Sequence, residues 1–301
     1  MWTGCRVTGT LRQGGPLVTD PAYGATIAKR RLSRILTDLR VRHGYTANQV
    51  CDRLNWGRGK VGRFEANQWK RPEMSDIRDL LQLYGVTGDE RQDLEDLAMR
   101  ARVRPWWREY GDVFGTEYTG FEDDASRISV YLPLILPSLL QTRAYIEALM
   151  RVGPQPPEWR ARALEGRLRR QNILDRHADD TAPELHAVIT ESALMYHWGP
   201  SVARREQIAH LLEMGRRPNV DIRLLRFADG PHPGMSSLIS IFDFPGDEPS
   251  IVYMENDVTL QEQTNHDEVD SYLEIFDRIR TAALEPEETA AYLTSFAKTL
   301  E

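Results

Sequence analysis

The chain has 301 residues, of which 41% are hydrophobic and 28% charged. That length accommodates two domains of ordinary size, and no run of about 18 uncharged apolar residues is present to span a membrane. Two cysteines are too few for a disulfide framework, and residues 1–24 lack the apolar segment of a secretory signal. We therefore expect a cytoplasmic protein that does not enter a membrane.

Charge is unevenly distributed along the chain. Residues 25–72 contain twelve basic and three acidic residues, a net +9, whereas residues 73–301 sum to −17. A basic segment joined to an acidic remainder indicates a surface for a polyanion such as DNA; a merely solvated basic face is the alternative that charge leaves open. Residues 1–24 carry +1 and show no pattern, and we expect a disordered or extended tail.

The segment that follows this tail has the pattern of short packed helices. Apolar residues recur at helical spacing in residues 32–39, 77–84 and 94–101, and each run predicts a helix with one buried face. Thr87 and Glu90 have the spacing of a capping box, which predicts the start of the last of these helices.

A helix-turn-helix pattern lies within the same segment. Thr46 and Gln49 have the spacing of a capping box and predict the start of a short helix. Residues 55–57 then form a turn, and a second short helix is predicted over residues 58–66. In such a motif the second helix lies in the DNA major groove while the first crosses the backbone. We predict a five-helix DNA-binding domain over residues 25–104, with a generic helical hairpin as the structural alternative.

The candidate DNA contacts follow from this placement. Arg58 and Arg63 can pair bidentately with guanine, and Lys60 suits guanine or phosphate. The leading helix and the segment after the second helix are placed to hold the DNA backbone. The complete candidate set is Thr46, Gln49, Arg58, Gly59, Lys60, Arg63, Lys70 and Arg71.

Residues 57–62 (GRGKVG) also match the dinucleotide-binding pattern GxGxxG. That motif functions only between a buried strand and a helix, and the preceding residues 47–54 carry four polar or charged side chains. We therefore predict no nucleotide cofactor. The glycines indicate either a close approach of the backbone to DNA or weak helix propensity tolerated by packing.

Residues 105–301 predict a mixed α+β domain behind the helical one. Strands are predicted at residues 185–190, 220–227, 237–244 and 251–255. Helices are predicted at residues 141–151, 158–176, 202–214, 269–279 and 293–300. Residues 105–126 are acidic and aromatic and are interpreted as a junction; the arginines of residues 160–176 indicate a solvated helix face or a second site for an acidic partner.

No catalytic or metal-binding pattern is evident. The seven histidines never fall within four residues of one another, and no P-loop, GxSxG or zinc signature occurs. His232, Glu191 and Glu255 are candidates for a shared cleft, with loop and capping roles as the alternatives. We predict no enzymatic activity, no metal and no cofactor; an enzyme with a DNA-binding head is the rival interpretation.

Residues 27–85 resemble the lambda-repressor-like, xenobiotic-response-element class of helix-turn-helix regulators. The resemblance is carried by residues 55–65 (NWGRGKVGRFE). Ala47 stands where the class often has a phosphate-contacting Gln, and Gly57 replaces the usual Ser. The resemblance implies sequence-specific binding to a double-stranded DNA operator, by a homodimer because such operators are usually palindromic.

Residues 105–300 resemble the uncharacterised C-terminal domain that many actinobacterial regulators carry behind this head. The similar segments are residues 137–142 (PSLLQT), 191–194, 218–225 and 252–255. Members are often described as antitoxin-like regulators encoded beside a small partner protein. The resemblance implies a transcriptional regulator whose C-terminal domain mediates dimerisation, small-protein binding or ligand sensing; an antitoxin-like protein that sequesters a small partner is the alternative.

Overall fold

The computed structural model describes residues 23–69, 71–179, 182–255 and 260–300. We call residues 23–104 the head and residues 105–300 the body. Within its described residues the head contains five helices, as predicted: α1 (Ala25–Arg42), α2 (Ala47–Arg53), α3 (Lys60–Glu65), α4 (Met74–Leu83) and α5 (Gly88–Ala101). Residues 1–22 of the predicted tail, and Lys70, lie outside the described residues.

The head is held together by the apolar faces that the sequence predicts. Leu32 and Leu36 of α1 are buried together with Ile77 of α4 and Leu97 of α5. A left-handed Gly44, with φ of +67°, follows α1, because glycine adopts this conformation without the steric penalty of a Cβ.

The first predicted capping box is confirmed and the second is wrong. Thr46 Oγ1 accepts a hydrogen bond from Gln49 N at 3.2 Å, and Gln49 Oε1 accepts one from Thr46 N at 2.8 Å. Thr87 does precede α5, but its side chain forms no capping hydrogen bond. Spacing alone therefore located both helix starts but identified the capping interaction at only one of them.

The body contains helices and strands in alternation, and the predicted α+β character is confirmed. In chain order its elements are α6 (Tyr118–Asp124), β1 (Arg127–Tyr131), α7 (Arg143–Val152), α8 (Pro157–Gln171), β2 (Glu184–Thr190), α9 (Glu191–Met195), α10 (Ser201–Met214), β3 (Val220–Leu225), β4 (Ile239–Asp243), β5 (Ile251–Glu255), β6 (Leu260–Gln263), α11 (His266–Ala282) and α12 (Pro286–Lys298). The sequence patterns did not indicate α6, α9, β1 or β6.

The described strands form one mixed sheet in the order β3-β2-β1-β4-β5-β6. Strands β1, β2 and β3 are parallel, while β4, β5 and β6 continue the sheet in antiparallel pairs. We call the edge where β1, β2 and β3 begin the amino edge, and the edge where they end the carboxyl edge. Since Tyr131 pairs with Ile239 and Arg127 with Asp243, β4 begins at the carboxyl edge and ends at the amino edge.

Helices cover both faces of this sheet. On one face, Phe276 and Ile279 of α11 pack with Tyr131 of β1. Side chains alternate between faces along a strand, and the opposite face of β1 presents Ile128 to the core that contains Phe121 of α6. That second core also includes the buried face of α1, so the head and the body share one apolar interior.

The head rests on the amino edge of the sheet through α1. Gly24 precedes this helix and supplies no side-chain cap; instead Asp124 Oδ2, in the body, accepts a hydrogen bond from Ile27 N at 2.8 Å. Gly120 of α6 allows the close contact, because a Cβ there would lie 2.3 Å from Thr26 Oγ1. The start of α1 is therefore completed by the body. None of the described helices is long and apolar enough to cross a membrane.

The acidic and aromatic residues 105–126, interpreted from sequence as a junction, bind the arginines of α8. Arg162 pairs with Asp112 at 3.0 Å, and Arg169 pairs with Glu109 at 2.7 Å. Arg169 also lies over the Trp106 ring, 4.8 Å from its centroid. Arg162 and Arg169 remain exposed to solvent, as the interpretation of a solvated helix face expects, and they also contact an acidic segment of their own chain.

Candidate nucleic-acid interface

Two arginines at the outer surface of α3 are not used by the head: Arg63 lies on the helix and Arg58 lies in the turn just before it. Val61 and Phe64 point into the core and are buried, and this spacing leaves Arg58 and Arg63 exposed. Neither guanidinium forms a hydrogen bond or ion pair with any residue that the structure describes. The charged ends of these two side chains are thus available to an external partner, as predicted.

Glycines keep the surface beside these arginines open. A Cβ added to Gly57 or Gly62 would meet no atom within 4 Å, and one added to Gly59 would lie 3.7 Å from Arg63 Nη1. Helix α3 begins at Lys60 rather than at the predicted residue 58, because Gly59 adopts φ of +81° as its N-cap. The three glycines therefore form a turn and an unobstructed helix face, and the residues before them form α2 rather than a buried strand.

The Lys60 side chain, predicted to contact a base or a phosphate, instead contacts other residues of the head. Its Nζ is 2.6 Å from Asp76 Oδ1 of α4 and 4.1 Å from the centroid of the Trp56 ring. The ion pair joins α3 to α4, and the ring contact joins it to the turn before α3. In this arrangement Lys60 sets the position of α3, a role that the sequence did not indicate.

The remaining candidates lie around α3. Thr46 and Gln49 are exposed at the start of α2, and the capping box uses Thr46 Oγ1 and Gln49 Oε1. The Gln49 amide nitrogen has no partner among the described residues and can donate to a phosphate. Arg71 is exposed beyond α3, and Lys70 cannot be placed because it lies outside the described residues.

Much of the basic charge counted in residues 25–72 is neutralised inside the molecule. Arg34 forms a bidentate pair with Glu248 of the body at 2.8 and 2.7 Å, and Arg31 reaches the same carboxylate at 3.2 Å. Arg31 also hydrogen-bonds to Asp247 at 2.6 Å, which holds the pKa of that carboxyl below its usual value. These acids belong to the turn between β4 and β5, at the amino edge.

Other basic side chains of the head are also occupied. Arg30 pairs with Glu117 at 3.3 Å and with Glu262, and Arg40 pairs with Glu65. Lys29 donates to the Asn67 carbonyl oxygen at 2.9 Å, and burial lowers its pKa. The net +9 therefore overstates the charge offered to a ligand, whereas Arg58, Arg63 and Arg71, on and around α3, have no partners among the described residues.

Glu191, a candidate for the cleft of the enzymatic alternative, has both carboxylate oxygens occupied by hydrogen bonds. One oxygen of this carboxylate accepts a hydrogen bond from Phe227 N, and the other accepts one from the Tyr292 hydroxyl. His232 contacts the Tyr131 ring edge-to-face at 5.8 Å, and burial lowers its pKa. The side chain of Glu255 is not among those described. No group of three or more potential metal ligands occurs in the described part of the chain.

These features place the protein in the class that carries a helix-turn-helix domain. Residues 31–94 match a family model described as "Helix-turn-helix domain", which includes α2, α3 and the candidate contacts. Residues 116–295 match the model described as "Domain of unknown function (DUF5753)". That match spans more than half of the chain, and the chain belongs to this family. No curated protein and no solved structure matched the chain significantly.

Proposed function

We propose that the protein is a sequence-specific DNA-binding transcriptional regulator of the lambda-repressor-like class, with α3 as its recognition helix. One observation carries the proposal. Arg63 on the second helix of a helix-turn-helix domain and Arg58 in the turn before that helix face solvent, while neighbouring cations on α1 are paired with carboxylates of the body. A basic side chain without an internal partner is suited to an anionic ligand.

The geometry supports different roles for the candidate residues. The major groove is about 12 Å wide and admits one helix, so α3 enters it with Arg58 and Arg63 directed at guanine edges. The Gln49 amide and Arg71 contact phosphates, which sets the orientation without reading sequence. Lys60 holds α3 against α4 through Asp76.

The proposal includes a homodimer in the cytoplasm that binds a palindromic, double-stranded operator. Each chain supplies one α3 in the described head, so two chains are needed for two equal half-sites. We propose that the body joins the chains and performs no catalysis; the hydrogen bonds that hold both oxygens of Glu191 support a structural role for this carboxylate.

The test selects DNA ligands from a random duplex library with the full chain and measures affinity by fluorescence anisotropy. The Arg58→Ala/Arg63→Ala variant should bind the selected site at least about 30-fold more weakly, because each bidentate pair contributes about 1–3 kcal/mol. Its melting temperature should equal that of the wild type. Salt dependence should follow a slope of about −0.9 per neutralised phosphate.

The matched control is Arg216→Ala/Arg278→Ala, which removes the same charge from exposed positions of the body. It should retain wild-type affinity. Unchanged binding by the α3 variant, or an equal loss in the control, contradicts the assignment of α3 as the recognition helix.

A further inference from the structure

Three segments converge at the carboxyl edge, on the side of the sheet away from the head. Residues 132–137 follow β1, α9 follows β2, and residues 226–238 connect β3 to β4. The first two are joined because Thr190 Oγ1 donates a hydrogen bond to the Pro133 carbonyl oxygen at 2.6 Å. This hydrogen bond makes the first two segments parts of one surface.

The connecting segment between β3 and β4 is fixed to the same surface. Phe227 N donates a hydrogen bond to Glu191 at the start of α9. Gly234 packs so closely on β1 that a Cβ there would lie 3.1 Å from Tyr131 Cε1. Side chains carried by the three segments are therefore neighbours.

This surface exposes large apolar side chains. Between 39% and 64% of each of the following residues is accessible to solvent: Leu134, Ile135, Met195, Tyr196, Phe227 and Met235. We call these six residues the carboxyl-edge patch. A concentration of exposed apolar groups on one surface marks an interaction site more often than scattered single residues do.

The segments that carry the patch have almost no net charge. Residues 132–137 contain no charged residue, and Arg226 and Asp229 neutralise each other at 2.5 Å. Glu191, at the start of α9, is buried. By contrast, residues 105–301 contain 19 basic and 33 acidic residues, a net charge of −14.

We infer that the carboxyl-edge patch is the surface through which two copies of this chain associate. Two identical acidic bodies repel each other across their charged surfaces but not where a neutral apolar patch meets its own copy. A two-fold interface uses the same residues from both subunits, a condition that an uncharged patch satisfies without repulsion. A basic partner would instead be attracted to the acidic surface of the body.

The placement of the head is compatible with this dimer. Asp124, Asp247 and Glu248, which hold α1, lie at the amino edge, whereas the patch lies at the carboxyl edge. Association through the patch therefore leaves α3 of each chain uncovered. The inference rests on the homodimer included in the proposed function and assigns its interface.

The test measures the mass of the full chain by sedimentation over a range of concentrations. The wild type should be dimeric, and Phe227→Asp/Met235→Asp should weaken the dimer at least about 100-fold, since each substitution appears twice in a two-fold interface. High salt, about 1 M, should not dissociate the wild-type dimer, because salt screens the repulsion between the bodies and leaves the apolar contact intact.

The matched control is Val103→Asp/Val152→Asp, which adds the same charge at exposed apolar positions outside the patch. It should remain dimeric. As a further check, a chain with Phe227→Asp mixed with a chain with Phe227→Lys should form more heterodimer than either forms homodimer. A monomeric wild type, whether or not it binds some other partner, or a dimer equally resistant to both aspartate pairs, overturns the inference.

This result is separable from the proposed function. If the chain does not bind DNA but the dimer depends on the patch, the proposed function fails and the interface stands. If a single half-site is bound through Arg58 and Arg63 while the patch variants leave the mass unchanged, the interface fails and the function stands.

Discussion

Arginines on α1 and on α3 have opposite environments although the two helices belong to one small head. Arg31 is 8% exposed and shares the Glu248 carboxylate with Arg34. Arg63 on α3 and Arg58 in the turn before it extend into solvent. The difference shows that the net charge of a segment does not measure the surface it offers to a ligand. The acids that neutralise Arg31 are more than 200 residues away in the chain.

The largest expected effect concerns the α1 side of this comparison. Glu248→Leu removes a carboxylate whose side chain is 4% exposed and leaves Arg31 and Arg34 without it. Breaking a buried pair by removing one partner typically costs about 3–5 kcal/mol. We expect a loss of that order in the free energy of unfolding, measured by urea denaturation, and at most a small change in affinity for DNA.

Glu95→Leu is the control for this substitution. Glu95 also binds two arginines, Arg78 at 2.9 Å and Arg91 at 2.9 Å, but these pairs lie at the surface. Exposed pairs contribute about 0–1 kcal/mol. Similar losses in the two variants would show that the α1 pairs are no more important than surface pairs.

A second prediction tests the raised pKa of Glu122, a buried carboxyl group that lies beside an arginine of the body. Glu122 is buried beside Arg170, with 2.8 Å between Oε2 and Nε, and burial raises the pKa of Glu122 to about 7. The folded protein therefore keeps a proton that the unfolded chain has lost, and stability decreases as pH rises from about 4.5 to about 7. Glu122→Gln should flatten this decrease by about 1.4 kcal/mol per pH unit, as measured by urea denaturation at several pH values.

Asp124 contributes to the same pH dependence, since burial raises its pKa to about 7 as well. Glu122→Gln should therefore reduce the slope without abolishing it. Glu165→Gln, at an exposed position of α8, is the control and should keep the wild-type slope. Identical slopes in wild type and Glu122→Gln would contradict the raised pKa.

The smallest expected effects concern the glycines of α3 and of the turn before it. Gly59→Ala should lower the unfolding free energy by about 1–2 kcal/mol, because its φ of +81° is unfavourable for a residue with a Cβ. Gly62→Ala should raise it by about 0.5–1 kcal/mol, since alanine is the better helix former and the space is open. The methyl group that Gly62→Ala adds should nevertheless weaken DNA binding if α3 lies against the groove. Fluorescence anisotropy measures that loss. A stabilising Gly59→Ala would refute the account of this turn.

Local patterns predicted several features that depend on neighbours in the sequence, although the capping box expected of Thr87 and Glu90 does not form. The capping box of Thr46 and Gln49 and the outward position of Arg58 and Arg63 follow from spacing within one or two helical turns. Strand β1 (RISVY) was missed although it is central, because Arg127 and Ser129 interrupt its apolar residues, whereas β5 (IVYME) opens on a continuous apolar run. Strand β6 (LQEQ) is polar and lacks any apolar periodicity.

Features that depend on distant residues had no sequence signal. Lys60 was predicted to contact DNA because its partner Asp76 lies beyond the end of α3 and carries no recognisable pairing pattern. Likewise, the acidic residues of the segment 105–126 pair with arginines only when α8 folds against them. The carboxyl-edge patch becomes a single surface only through the order of the strands, since its six residues come from three separate loops.

The cap that Asp124 provides for α1 has a consequence for synthesis of the chain. The first helix of the head emerges from the ribosome about a hundred residues before the carboxylate that accepts its Ile27 amide hydrogen. Until α6 follows, the start of α1 has only water to satisfy its free amide groups. A nascent chain, or an expressed fragment that stops at residue 104, therefore has a frayed first turn of α1, which is completed only after the body has begun to fold.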